Sequence, residues 1–342
     1  MKALVVKGIS ELEVMDIPKP NYKDDEVLIK VKNCGICGSD IPRALNGGVH
    51  QFPIVLGHEF SGDIVEIGSK VTKFKVSDRV TVAPLKPCES CEFCKKGMPA
   101  MCMSYGFIGS RENGAMAEYI AVKEGNVVLL PDGVSYEEGA MIEPITVALH
   151  GIERVNIKAG STVLIFGAGT IGLLVLQCLK ARGVGKTYMV DIDDNKLEIA
   201  KQMGAEVINS LNVNLNEYLT ENGKPDIVYE NSGSAIAQAQ ALEVVNKLGK
   251  VVYIGTSTRD VTLKPEVFEK ILRGEILITG SWMSYSAPYP GYEWTTAAQY
   301  IRDKKIDLKP MITHKFSLSD GIKPFKKMID RNELSIKIMF EI

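Results

Sequence analysis

The sequence predicts an α/β protein in which a β-rich domain is joined to a doubly wound parallel sheet. Three observations carry this. At 342 residues the chain exceeds what one ordinary hydrophobic core organises, so about two domains are expected. Residues 1 to about 148 hold short Val/Ile/Leu-rich runs, such as EVLIKVKNCG, GDIVEIG and DRVTVAP, set between Gly, Pro and Asp turns. That is the texture of antiparallel strands. From Ser161 onward strands alternate with helical patterns, which implies parallel strands covered on both faces.

In this second region TVLIF, TYMVD, EVIN, DIVYE, KVVYIG and ILITG read as six strands, with NKLEIAKQMG and SAIAQAQALEVVNKLG among the intervening helices. Six is the usual size of a doubly wound dinucleotide domain. GSWMSYSAPYPGYEW (280–294) follows, holding both tryptophans and three of the twelve tyrosines, and Pro288 and Pro290 exclude a central strand. TTAAQYIRDKKID and KPFKKMIDRNEL then read as amphipathic helices before a closing strand, IKIMFEI. The expected domains are 1–148 with 285–342, and 149–284, with a ligand cleft between them.

A formal net charge of −2 spread along the chain argues against a nucleic-acid or membrane-surface protein. VLIFGAGTIGLLVLQCL is apolar enough to suggest a membrane span, but three glycines break it, and a strand followed by a helix explains it better. The opening MKALVVKGISELEVMDI reads as strand-rich, without a basic-then-apolar leader. Together with seven cysteines, this leads to the expectation of a reducing cytoplasm and thiolates kept for metal rather than disulfides.

Three motifs carry chemistry. In PCESCEFCKKGMPAMC, Cys88, Cys91, Cys94 and Cys102 are spaced by three, three and eight. Four thiolates in one loop close a tetrahedron around zinc with no vacancy, a structural site; an iron–sulfur cluster is the alternative. GICGSD supplies Cys37, GHEFSG supplies His58 and Glu59, and IEPITVALH supplies Glu143. A thiolate, an imidazole and a carboxylate leave the open position that a catalytic zinc requires. Cys34 and Cys37 also permit a CxxC redox pair. In GAGTIG, Gly167, Gly169 and Gly172, with Thr170 and Ile171, lie between a strand and a helix. They suit a pyrophosphate at the helix N-terminus. Asp191 ends the next strand nineteen residues past Gly172, placed either to hold the ribose hydroxyls of NAD or to cap the following helix.

Taken together these motifs resemble the zinc-dependent medium-chain dehydrogenases, in that family's order and spacing from end to end of the chain. The resemblance implies a GroES-like β domain, completed by the C-terminal segment, with a Rossmann domain inserted. It implies one catalytic and one structural zinc, NAD, and a homodimer or homotetramer. By the same resemblance Cys37, His58 and Glu143 would bind the catalytic zinc, Glu59 would approach or orient it, and Ser39 would take the hydroxyl proton. CGSDIPRALNGGVHQFPIVLGHEFSG, FIGSRENGAMAEY and GSWMSYSAPYPGYEW look like members that oxidise a polyol phosphate rather than sorbitol, threonine or simple alcohols. Relatives commonly carry a proton-exit histidine five residues after the zinc cysteine; here Pro42 stands there, followed by Arg43. Arg43 and Arg111 are therefore expected to meet the phosphate. His50 is expected to meet a hydroxyl, and Trp282 and Tyr285, with Ser281 and Ser286, to wall the substrate. His150, His314 and Cys178 read as structural.

Overall fold

The computed structural model describes residues 1–330 and 332–342. Arg331, inside the stretch read as the last helix, lies outside the described residues. Two compact units form, 1–146 with 285–304 and 308–342, and 147–284 with 305–307. Among the described residues no helix is long and apolar enough to cross a membrane.

The first unit is built around the ten-residue strand Glu26–Gly35, a central member of a seven-stranded sheet. One edge pairs antiparallel with Glu59–Ile67. The other pairs first with Tyr119–Lys123 and then with the closing strand Lys337–Glu341. Being central, the strand buries nearly every residue of EVLIKVKNCG, and Val27, Ile29 and Val31 join the main core with Phe60, Ile64, Phe325 and Phe340. Each such side chain contributes about 1.5–3 kcal/mol by leaving water. The strand's last residue, Gly35, pairs with Glu59 on one side and Met339 on the other. The chain segments carrying Cys37, Glu59 and Lys337 therefore converge at one end of the sheet.

The aromatic segment enters this unit as packing. Tyr285 is buried and stacks between Tyr289 and Trp294, with ring centroids 5.9 Å apart in each pair. Its hydroxyl accepts from the Leu85 N–H at 3.2 Å, and the Tyr289 hydroxyl donates to the Leu85 carbonyl. Ser286 donates to Glu293 Oε2 at 2.7 Å. The expectation that Tyr285 and Ser286 line a substrate wall is thereby corrected, since their polar atoms are already engaged and Trp294 is fully buried. Aromatic composition on an irregular segment does not reveal which rings turn inward. Of the segment's two indoles, only Trp282 is exposed.

The second unit contains the six expected parallel strands, Val163–Phe166, Thr187–Asp191, Glu206–Asn209, Ile227–Glu230, Lys250–Tyr253 and Leu277–Gly280. Their spatial order is 3-2-1-4-5-6, that of a Rossmann fold. The helix Thr170–Ala181, from the stretch that looked membrane-like, buries eight consecutive residues including Cys178.

Candidate metal centres and dinucleotide site

In the first unit, ligand atoms of Cys37, His58 and Glu59 lie within 4.8 Å of one another. Tetrahedral zinc bound at its usual lengths holds its donors about 3.3–3.8 Å apart, so a small contraction seats the ion. Local backbone makes the approach possible. A Cβ on Gly35 would stand 2.4 Å from Glu59 Oε2, and Gly57, at φ +98°, is in the left-handed region, where a Cβ would stand 2.6 Å from Cys34 Sγ. Cys34 is fully buried behind the site, which favours the packing reading over a redox pair.

Glu143, expected as the third ligand, lies outside that three-residue set, and Glu59 completes it instead. The reason is positional: Glu143 begins its helix Ile142–Ile152, whereas Glu59 opens a strand directly paired with Gly35. Glu143 is nonetheless buried and within electrostatic reach. Burial pushes its carboxyl up to about 8, with His58 opposing and Glu59 and Cys37 adding to the rise. Burial, then Glu59 and Asp40, pushes the Cys37 thiol up to about 11. A dication among these groups reverses both shifts, because it stabilises thiolate and carboxylate together. The donor set therefore fits zinc.

Two residues of this centre were not singled out from the sequence. Asp40 is fully buried. Its Oδ2 accepts from the Cys37 N–H at 3.1 Å, its Oδ1 accepts from Arg43 at 3.2 Å, and Oδ1 stands 3.6 Å from His58 Nδ1. A carboxylate on the Nδ1 side suits an imidazole that ligates through Nε2. The signal available was spacing, with Asp40 three residues past Cys37 and three before Arg43. Lys337 is also buried; its ammonium donates to Glu59 Oε2 at 2.6 Å and to the Ile36 carbonyl at 3.1 Å. Burial alone would favour the neutral amine, but Glu59, Cys37 and Glu143 outweigh it and leave the pKa above the ordinary lysine value.

Around this centre, Ser39 is exposed, donates to Cys37 Sγ at 3.2 Å and accepts from Arg43 at 2.9 Å. The Arg43 guanidinium is thus tied to Ser39 and Asp40. Phe107 packs edge-on against the His58 ring at 5.6 Å and opens the turn in which the Arg111 N–H bonds back to the Phe107 carbonyl. Arg111 is exposed, and its guanidinium lies over the Tyr105 ring at 4.4 Å. Its side chain has no ion-pair or hydrogen-bond partner among the described residues. His50 is exposed in a loop. His314 stacks on Phe316.

The four-cysteine loop closes as its spacing requires, with the sulfurs of Cys88, Cys91, Cys94 and Cys102 within 4.8 Å of one another. The Cys88 N–H donates to Cys102 Sγ and the Cys91 N–H to Cys88 Sγ. Such main-chain donors favour thiolate; the Ser90 hydroxyl and backbone, with the Cys91 backbone, bring Cys88 down to about 5. Four sulfur donors fit a closed zinc site.

In the second unit Gly167 has φ +91°, and a Cβ on Gly172 would stand 1.8 Å from the Gly167 carbonyl. Gly169 is the N-cap of the helix and faces open space. The result is a cradle whose backbone a pyrophosphate can approach. Asp191 Oδ2 accepts from the Ala168 N–H at 2.6 Å, and Oδ1 from the N–H groups of Ile192 and Asp193. Asp193, not Asp191, caps the next helix. The capping alternative for Asp191 falls away, and its carboxylate is fixed beside the glycine loop, as a ribose partner should be.

Comparison with known proteins agrees with this geometry. Residues 23–132 match the alcohol dehydrogenase GroES-like domain, and 170–301 the zinc-binding dehydrogenase family. The chain is 39% identical to galactitol 1-phosphate 5-dehydrogenase of Escherichia coli K12, across 99% of each chain. It is 36% identical to D-arabitol-phosphate dehydrogenase of Enterococcus avium, across 98% and 95%. Identity to sorbitol dehydrogenase of Bacillus subtilis 168 is 34%, across 99% and 96%. The crystal structure of galactitol-1-phosphate dehydrogenase from Escherichia coli superposes with a TM-score of 0.95 at 38% identity, with both chains covered in full. With matching domains in order and full-length relatives, the chain belongs to the zinc-binding medium-chain alcohol dehydrogenases, oxidoreductases whose cofactors are zinc and a nicotinamide dinucleotide.

Proposed function

We propose that the substrate is a polyol phosphate, oxidised at a secondary hydroxyl, and that the reaction is galactitol 1-phosphate to tagatose 6-phosphate with NAD. The observation that carries the phosphate is Arg111, an exposed guanidinium preorganised on Tyr105 and unpaired, in the turn that starts from the ring against His58. A planar donor fork of this kind suits phosphate oxygens. Arg43, already engaged by Ser39 and Asp40, serves the phosphate less directly. Similarity to the galactitol- and arabitol-phosphate enzymes supports the same class. Oxidation of an unphosphorylated sugar alcohol is the second reading, favoured by the sorbitol dehydrogenase relative.

In the mechanism we infer, Cys37 and His58 would hold the catalytic zinc, and Glu59 and Glu143 would share the carboxylate position between them. Zinc held there would supply Lewis acidity to the substrate hydroxyl, and bound NAD would supply the hydride acceptor. Ser39 acts as a relay, its Oγ accepting the hydroxyl proton as its own O–H proton passes to solvent, so that the oxygen stays neutral, and Arg43 holds that oxygen in place. This route does not require the histidine that Pro42 replaces. Asp40 orients His58, and Lys337 orients Glu59. His50 and Trp282 are proposed to meet the polyol chain, and both are exposed, as that role needs. Asp191 selects NAD by repelling the extra phosphate of NADP.

Arg111→Ala tests the phosphate assignment. KM for galactitol 1-phosphate should rise by roughly tenfold or more with kcat little changed, while KM for galactitol should not move. Equal effects on both substrates would remove Arg111 from that role.

We also propose a homodimer in the cytoplasm. Leu277–Gly280 is an edge strand of the parallel sheet, and Leu277 and Ile278 on it and Phe268 and Leu272 on the preceding helix are exposed. A second copy related by a two-fold axis would pair that edge with itself and cover these side chains.

A further inference from the structure

Glu230 ends the fourth strand of the parallel sheet, Ile227–Glu230, and is fully buried. No cation approaches its carboxylate among the described residues. Its partners are chiefly the turn that follows, with the Gln238 side chain also in reach. Oε1 accepts from the Ser232 N–H at 2.8 Å, the Ser232 hydroxyl at 2.5 Å and the Gly233 N–H at 3.0 Å. The Ser232 hydroxyl in turn accepts from the Ser234 N–H at 3.1 Å. The turn so held touches two others. A Cβ on Gly167 would lie 3.2 Å from Ser232, and one on Gly233, at φ +66°, would lie 2.3 Å from the Thr256 carbonyl. The Glu230 carbonyl meanwhile accepts from the N–H groups of Ile254 and Gly255. Through its carboxylate, which holds the turn packed on Gly167, and its main-chain carbonyl, Glu230 therefore links the ends of the first, fourth and fifth strands.

Its place in the sheet gives this arrangement a ligand. Strand order reverses between the first and fourth strands, and a dinucleotide lies across that reversal, one mononucleotide on each half. Strands one to three carry the glycine loop and Asp191, which take the adenosine side. The half opened by Ile227–Glu230 takes the nicotinamide mononucleotide. We propose that Glu230 is a positioning residue for the nicotinamide half of the cofactor, clamping the Ser232–Gly233 turn against Gly167 so that the exposed edge of that turn meets the nicotinamide ribose in fixed geometry.

The test separates the two halves of the cofactor and needs no substrate. On the zinc-loaded enzyme, Kd for NADH is read by nicotinamide fluorescence and Kd for AMP, which lacks the nicotinamide ribose, by calorimetry, with the melting temperature measured in the absence of either. Glu230→Gln keeps the shape but replaces the charged acceptor, so NADH should bind roughly tenfold more weakly while AMP affinity stays within about twofold. Equal weakening of both ligands would mean a merely structural role and would overturn the assignment, as would no change in either. Should Glu230→Gln fail to fold, Ser232→Ala removes one exposed link of the clamp. NADH affinity should then fall by about threefold with AMP unaffected; an unchanged NADH affinity would equally overturn the proposal.

Discussion

Lys337 and Glu59 form an ion pair with both side chains almost without solvent. Removing one member of such a pair strands the other charge at a cost of about 3–5 kcal/mol. Lys337→Met should therefore lower unfolding free energy by roughly 3 kcal/mol in urea, and adding Glu59→Gln should recover part of that loss; a double variant no better than the single would show that the pair is not coupled. At the same scale, Asp191→Ala should lower the preference for NAD over NADP by about tenfold or more in kcat/KM, and an unaltered ratio would mean that another group discriminates. Cys37, His58, Glu59 and the four loop cysteines could be picked out from residue type and motif. Asp40 and Lys337 could not, because their significance lies in partners: a buried acid facing a histidine eighteen residues away, and a lysine in the apolar run IKIMFEI that meets Glu59 across 278 residues. Tyr285 was misjudged for the same kind of reason, since composition tells that a ring is present and not which way it faces.

At the scale of elements, the strand, glycine loop and helix at 163–181 explain why three glycines are needed for different reasons. Gly172→Ala drives a Cβ into the Gly167 carbonyl and should cost at least about 2 kcal/mol of stability. Gly169 faces open space, so Gly169→Ala should cost under about 1 kcal/mol while weakening NADH binding by roughly tenfold or more. Thermal melts beside fluorescence titrations of both variants check this; equal loss of stability in the two would contradict the division of roles. The six strands of this sheet were legible because their Val/Ile/Leu runs alternate with helical periods. The central strand Glu26–Gly35 and the strands beside it were legible too, but their pairing was not: the pairing with Glu59–Ile67 and Lys337–Glu341 that assembles the metal centre joins distant segments and has no local signature.

At the scale of the whole molecule, exposed Leu277 and Ile278 on an edge strand should be covered by a second copy. Ile278→Lys should shift the particle from dimer to monomer in light scattering, and a dimer that persists would place the contact elsewhere. The reaction class follows from two metal centres and a dinucleotide loop; the cysteine loop and the glycine loop are visible as motifs, whereas the scattered residues of the other centre are tied together by the family resemblance. The identity of the polyol is a matter of a few exposed side chains, Arg111 foremost, whose orientation no motif encodes. The most direct measurement is NAD reduction with galactitol 1-phosphate, sorbitol 6-phosphate, galactitol and sorbitol compared side by side on the zinc-loaded enzyme. The expected result is a kcat/KM for galactitol 1-phosphate at least about a hundredfold above that for galactitol, equivalent to two charge-assisted hydrogen bonds; turnover of galactitol or sorbitol as fast as of the phosphates would contradict a polyol-phosphate dehydrogenase.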